Sequence, residues 1–222
     1  MEERTISVTG RGSVHVVPDV MQLEVQVSGV FKDYNSAYES AKTNSSWMKK
    51  ILEYNHLDAK MAKTLRINIT DHMKSIYDKY GKYVGSEQDG YDLSQIIRID
   101  LGIDNVLANK LVKGVGKFIV GAQIAIGYTV KDIRPAQLKM LERAVKDAKE
   151  KADIMAKALG CQLGSVKEIR YGVQDFQVFS QARNYHNNAE AKASTADSLD
   201  ITPEDLSVTD DVDVIWRLTD AE

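Results

Sequence analysis

From Met21 to Ser28 this chain alternates without a fault: Met21, Leu23, Val25 and Val27 are apolar, and Gln22, Glu24, Gln26 and Ser28 are polar. Successive side chains of a strand point to opposite faces, so the run predicts a half-buried strand with one wet side. Ile6 and Val8 begin a similar pattern upstream, before Gly10 and Gly12 interrupt it. Glycines at such points mark a β-bulge or a close approach of another backbone. Pro18-Asp19 supplies the corner between the two strands.

The same reading carries along the chain. Asp33 is placed to cap a helix from Tyr34 to about Tyr54, with Tyr34, Ala37, Tyr38, Ala41, Met48, Ile51 and Leu52 on one face. Alternation predicts a strand over about 61–77, a polar hairpin tip over 78–89, and a return strand over 91–103. A short helix is expected from Asn105 to Lys113, ended by Gly114, and then a strand over 118–128.

Asp132 opens the strongest helical pattern, with Pro135 in its first turn. Leu138, Leu141, Val145, Ala148, Ala152, Met155 and Leu159 repeat in steps of three and four, and Gly160 closes the run. The many alanines suit packing on a sheet better than a coiled-coil seam. A strand over 165–171 follows. The stretch 181–199 is polar, rich in Ala, Asn and Ser, and reads as a mobile loop. In the last strand Leu206, Val208, Val212, Val214, Trp216 and Leu218 share one side, with Asp210 breaking the set.

The resulting order, ββαββαβαββ, predicts an α+β fold: a largely antiparallel sheet with two long helices and one short helix packed on it. With 222 residues the chain reads as a single domain over 1–222, with room for two sub-lobes, about 1–103 and 104–222.

Composition narrows the functions. A formal net charge of −3 disfavours broad nucleic-acid binding, which needs a basic surface. No apolar run is long enough to span a bilayer, and net acidity disfavours a membrane-surface role. The single cysteine, Cys161, allows neither an intrachain disulfide nor a cysteine-based zinc site. Met1-Glu-Glu-Arg runs straight into the first strand without a charged-then-apolar leader, from which a cytoplasmic location is expected.

Motifs that carry chemistry are sparse. Gly10-Arg-Gly12 lacks the following helix that a dinucleotide fingerprint needs, so a bulge is the better reading. Lys113-Gly-Val-Gly-Lys117 lacks the upstream glycine of a phosphate loop and has Phe118 where Ser or Thr should stand; it reads as a helix stop leading into a strand. His15, His56, His72 and His186 show no metal-ligand spacing. Acids cluster at Glu204, Asp205, Asp210, Asp211 and Asp213, and Asp211 and Asp213 share one strand face. They could meet a cation or a basic partner, or form a solvated edge that discourages aggregation. Tyr171, Phe176, Phe179 and Tyr185 recur near the polar loop and could cover the sheet or a subunit contact. The residues to watch for a site are His15, Asp19, Asp211 and Asp213; no catalytic residue, cofactor or metal is assigned.

Three segments, in order, resemble the SIMPL-domain family, a bacterial group filed as a domain of unknown function. They are Ile6-Ser-Val-Thr-Gly-Arg-Gly12 with Pro18-Asp19, then Gly90-Tyr-Asp-Leu-Ser94 leading into 96–101, then Ala158-Leu-Gly-Cys-Gln-Leu-Gly164 followed by Ile201-Thr-Pro-Glu-Asp-Leu-Ser-Val208. Most members of that family are exported, whereas this chain is similar to a leaderless branch. The resemblance implies no catalytic residue, and the ring-like organisation proposed for some members implies self-assembly. The expectation is therefore a non-enzymatic binding or self-assembling scaffold, a homo-oligomer with an unknown protein partner. The alternative is a small-ligand or metal-binding protein, or an enzyme, with an unrecognised pocket.

Overall fold

The computed structural model of the chain describes residues 4–172, 180–185 and 203–220. Its elements are β1 (Thr5–Val16), β2 (Val20–Phe31), α1 (Tyr34–Tyr54), β3 (Lys63–Tyr77), β4 (Tyr83–Gly102), α2 (Asn105–Phe118), β5 (Gln123–Thr129), α3 (Arg134–Ala158), β6 (Cys161–Arg170), β7 (Ser180–Tyr185) and β8 (Leu206–Asp220). The fold is α+β, and the order ββαββαβαββ holds with β7 as one further strand. The described strands form two sheets, ordered β1-β8-β6 and β3-β4-β2-β5-β7. The β1/β8, β6/β8, β2/β4 and β3/β4 pairings are antiparallel.

The chain forms two compact units that interleave in sequence. One takes the described parts of Met1–Pro18, Thr129–Ser180 and Glu204–Glu222; the other takes those of Asp19–Tyr128 and Gln181–Pro203. Position 103 lies inside the second unit, whose larger core cluster joins Met21, Leu23, Ile97 and Ile99 to Leu111, Val115, Ile124 and Ile126. Burial of side chains this size contributes about 1.5–3 kcal/mol each, so a cut at 103 would expose that core.

In the second unit, Asp33 caps α1 as its sequence predicts, accepting from the Ser36 N–H at 2.9 Å. The buried row of α1 also contains Asn44. Its amide donates to Oε1 of Gln95, a fully buried β4 residue, at 3.3 Å. Gln95 Nε2 donates in turn to the Ala41 carbonyl at 3.1 Å and to Ser45 Oγ at 2.8 Å. Tyr34 and Tyr38, expected on the inner face of α1, are exposed.

In the first unit α3 lies across β1, β8 and β6. Its buried row is Met140, Ala144, Ala148, Ala152 and Ala156, a strict i,i+4 ridge. The seam expected from larger residues is mostly outside: Leu138 is 60% and Leu159 70% exposed. Small residues win because the partner surface is glycine. A β-carbon on Gly10 would stand 2.0 Å from the Ala144 carbonyl oxygen, and one on Gly12 1.9 Å from that of Met140. The β1/β8 register runs unbroken through both glycines, which excludes the bulge; close backbone approach is their role.

The outer edge of β1 is occupied by α3 side chains one turn apart. Arg143 donates to the Ser13 carbonyl, Asp147 Oδ2 accepts from the Arg11 N–H at 2.7 Å, and Lys151 donates to the Thr9 carbonyl at 3.3 Å. Helical rows and strand rows both repeat, so one edge group on each of three alternate strand residues is met by an i,i+4,i+8 set.

Other expectations shift. α2 continues through Gly114 and Gly116 to Phe118, because Gly114 faces Ile51 of α1, where a β-carbon would come within 2.9 Å; packing overrides the stop signal. The following strand therefore starts at Gln123, not 118. The polar tip expected over 78–89 shrinks to a turn at 78–82, with Gly81 in the left-handed region, and β4 begins at Tyr83. Within 181–199, residues up to Tyr185 form β7 beside β5; the rest lies outside the described residues.

Candidate functional site

The wet face of the three-stranded sheet gathers the acidic pair foreseen on the last strand. β8 is its middle strand, between β1 and β6, so the reading of these acids as a solvated edge does not hold. Strand parity sends Thr9, Arg11, Ser13 and His15 of β1 and Ser207, Thr209, Asp211 and Asp213 of β8 outward, all exposed. Register then sets Arg11 opposite Asp211, Thr9 opposite Asp213, and Arg170 of β6 on the other side of Asp213.

Arg11 holds Asp211 in a fork, with Nε and Nη2 donating at 2.9 and 3.1 Å. Those hydrogen bonds push the Asp211 carboxyl below its ordinary range and the guanidinium above its own. Thr9 Oγ1 donates to Asp213 at 2.5 Å. Arg170 turns to Glu168 instead, at 2.6 and 3.2 Å. An open groove of about 700 Å³ runs between Thr9, Ile169, Arg170, Tyr171, Gly172, Asp211 and Asp213.

Behind this face lies Asp210, which the sequence marks only as a break in the apolar set of the last strand. Asp210 keeps the inward phase of β8 and is 4% exposed. It accepts from the Tyr171 hydroxyl at 2.8 Å and from the Asp211 N–H at 2.9 Å. The hydrogen bond to Asp210, followed by burial, raises the Tyr171 hydroxyl above its ordinary range. The signal was present: Asp210 sits at an even position between Val208 and Val212. A carboxylate there needs donors, which Tyr171 supplies.

Of the four residues singled out from sequence, Asp211 and Asp213 come together at the groove. His15 stands on the same face opposite Ser207, four register pairs beyond Arg11. Asp19 belongs to the other compact unit. Among the described residues no three His, Cys, Asp or Glu side chains gather as a metal-holding group, and no helix is long and apolar enough to cross a membrane.

A second surface was legible only as a polar tip. β2 ends at Phe31, opposite Tyr91, and beyond that point, among the described residues, β3 and β4 continue without a third strand from Met73↔Gln88 to Tyr77↔Tyr83. This ribbon leaves Met73, Ile76, Tyr77, Tyr80, Tyr83 and Val84 exposed. At its root Gly90 takes φ 138°, and a β-carbon there would meet the Phe31 carbonyl oxygen at 2.4 Å. His72, at the register shift, places Nδ1 3.0 and 3.1 Å from the carboxylate oxygens of Asp92.

Comparison with known proteins agrees with the family resemblance. The family model SIMPL, described as a protein of unknown function (DUF541), matches residues 6–216. An uncharacterized protein YggE of Edwardsiella ictaluri is 25% identical over 211 residues, covering 95% of this chain and 85% of that protein.

Proposed function

The chain belongs to the SIMPL (DUF541) family, and on that footing we propose that it is a non-enzymatic, self-assembling binding scaffold. The β3–β4 ribbon would join it to further copies of itself. The ribbon carries this reading. Two strands without a third are marginal in water, yet this pair extends past the sheet and shows exposed tyrosine, isoleucine and methionine on its way to the tip. Exposed tyrosine, isoleucine and methionine gathered on one ribbon fit a protein contact.

Charge supports a second copy as the partner. Over 71–90 the ribbon carries Lys74, Lys79 and Lys82 against Asp71, Asp78, Glu87 and Asp89. Two such ribbons would meet nearly neutral, without like-charge repulsion. The β1 edge contributes little to assembly, since α3 already fills it. On the wet face, Asp211 and Asp213 are committed to Arg11 and Thr9, an arrangement suited to recognition of a polar surface.

Mass measured in solution across concentration tests the proposal. An oligomer that Tyr77→Ser with Tyr83→Ser breaks into monomers supports it; a strict monomer at all concentrations overturns it.

The groove favours a second reading, a small polar ligand between the Asp213 carboxylate and the Arg170 guanidinium, or a cation at the Asp213 carboxylate, with His15 farther along the same face. A thermal-shift screen with metal ions and metabolites would favour it if one compound raised the melting temperature strongly and Asp213→Asn removed the effect.

A further inference from the structure

α2 carries Lys110, Lys113 and Lys117 on the line opposite its buried residues Ala108, Leu111 and Val115. From Asn105 to Phe118 it contains no acid, although the chain as a whole is net negative at −3. A solvated helix face ordinarily mixes both signs. Among the described residues no carboxylate forms an ion pair with these three lysines.

The C-terminal end of this row is aromatic and apolar. Trp47 of α1 and Phe118 stack with centroids 4.8 Å apart and 13° between planes. Lys50 stands 4.7 Å over the Trp47 ring and Lys117 5.2 Å over that of Phe118. Immediately beyond, Val120 is 91% exposed. It sits in the turn that Ala122 closes with its N–H to the Ile119 carbonyl, and Gly121 takes φ 73° to make that turn.

We propose that this face of α2 docks on an anionic bilayer surface. Lys110, Lys113 and Lys117 would lie among phosphate-bearing headgroups, and Phe118 and Val120 would reach the acyl boundary. Long lysine stems keep their ammonium groups at headgroup level while apolar neighbours sink, and a basic cluster is drawn to a negative leaflet. The shape selects the bilayer over an acidic polypeptide. An acidic peptide would engage the lysines and leave the projecting Val120, 91% exposed, in water, whereas a bilayer engages both. The proposal is independent of assembly through the β3–β4 ribbon.

Sedimentation of the full chain with vesicles tests it. Binding is expected to vesicles of phosphatidylglycerol mixed with phosphatidylcholine, falling as salt rises, and not to phosphatidylcholine alone. Each lysine is expected to contribute roughly five-fold, so Lys110→Gln with Lys113→Gln and Lys117→Gln weakens binding about a hundred-fold. Val120→Ser, which removes only the apolar tip, should weaken it several-fold and keep the salt dependence. All four positions are exposed, and unchanged melting temperatures would confirm folded variants. The proposal is overturned by no binding to phosphatidylglycerol vesicles at low salt, by equal binding to neutral vesicles, or by binding that survives the lysine substitutions. Capture of polyglutamate without vesicle binding would also overturn it, in favour of an acidic protein partner.

Discussion

Gly12 of β1 lies directly under the backbone of Met140 in α3: a β-carbon added to Gly12 would stand 1.9 Å from the Met140 carbonyl oxygen. Gly12→Ala must therefore lift the helix or bend the strand. The expected loss is about 2–3 kcal/mol, the upper range for overpacking, read from urea unfolding. Wild-type stability in that variant would mean the contact is much looser than described.

Arg143, Asp147 and Lys151 hold the outer edge of β1 closed. Replacing all three with alanine leaves a strand edge open to pairing. Faster aggregation is expected in light-scattering traces near the melting temperature, beyond what the lost stability alone produces. Comparison with an equally destabilised core variant provides the reference.

Asn44 supplies the donor seen by Gln95 Oε1 inside the second unit. Asn44→Ala leaves that oxygen buried without its partner. A cost of about 1–3 kcal/mol is expected, again from urea unfolding, while Thr43→Ala on the exposed side of the same helix should stay near wild type.

Tyr171→Phe takes one of two donors from the buried Asp210 carboxylate. About 1.5–3 kcal/mol should be lost at neutral pH. The folded hydroxyl titrates above its ordinary value, chiefly through the Asp210 hydrogen bond. Its contribution is therefore complete below about pH 10 and disappears as pH rises through the folded value. Unfolding midpoints of the two proteins should differ by a constant amount up to about pH 9 and converge in stronger alkali. A gap that persisted there would assign the effect to packing instead.

The strands were readable wherever one face is wet. Met21–Val27 and Leu206–Trp216 alternate in sequence and bury the expected side in the fold, because a two-residue period admits no other assignment. Helix ends were harder. Gly114 carries a stop signal, yet α2 passes through it because the missing side chain admits Ile51. On α3 the larger residues suggested the wrong ridge, since nothing local reveals that the facing strand is glycine.

The acidic pair was legible because Asp211 and Asp213 are two residues apart on a strand. Their partners were not: Arg11 and Thr9 lie about 200 positions away in the sequence, and only register brings them opposite. Asp210 shows the same limit from within, since its phase was visible and the Tyr171 hydroxyl that satisfies it was not.

Alternation, helical periodicity and capping residues, all properties of neighbouring positions, determined the α+β class, the element order and the inward side of most strands. Tertiary structure alone decided that β8 is a central strand, that two interleaved units share the chain, and that β3 and β4 run on past their neighbours. Those outcomes depend on which distant backbone comes to lie alongside. That choice is made by the fit of whole surfaces, such as glycine against alanine, which no local period encodes.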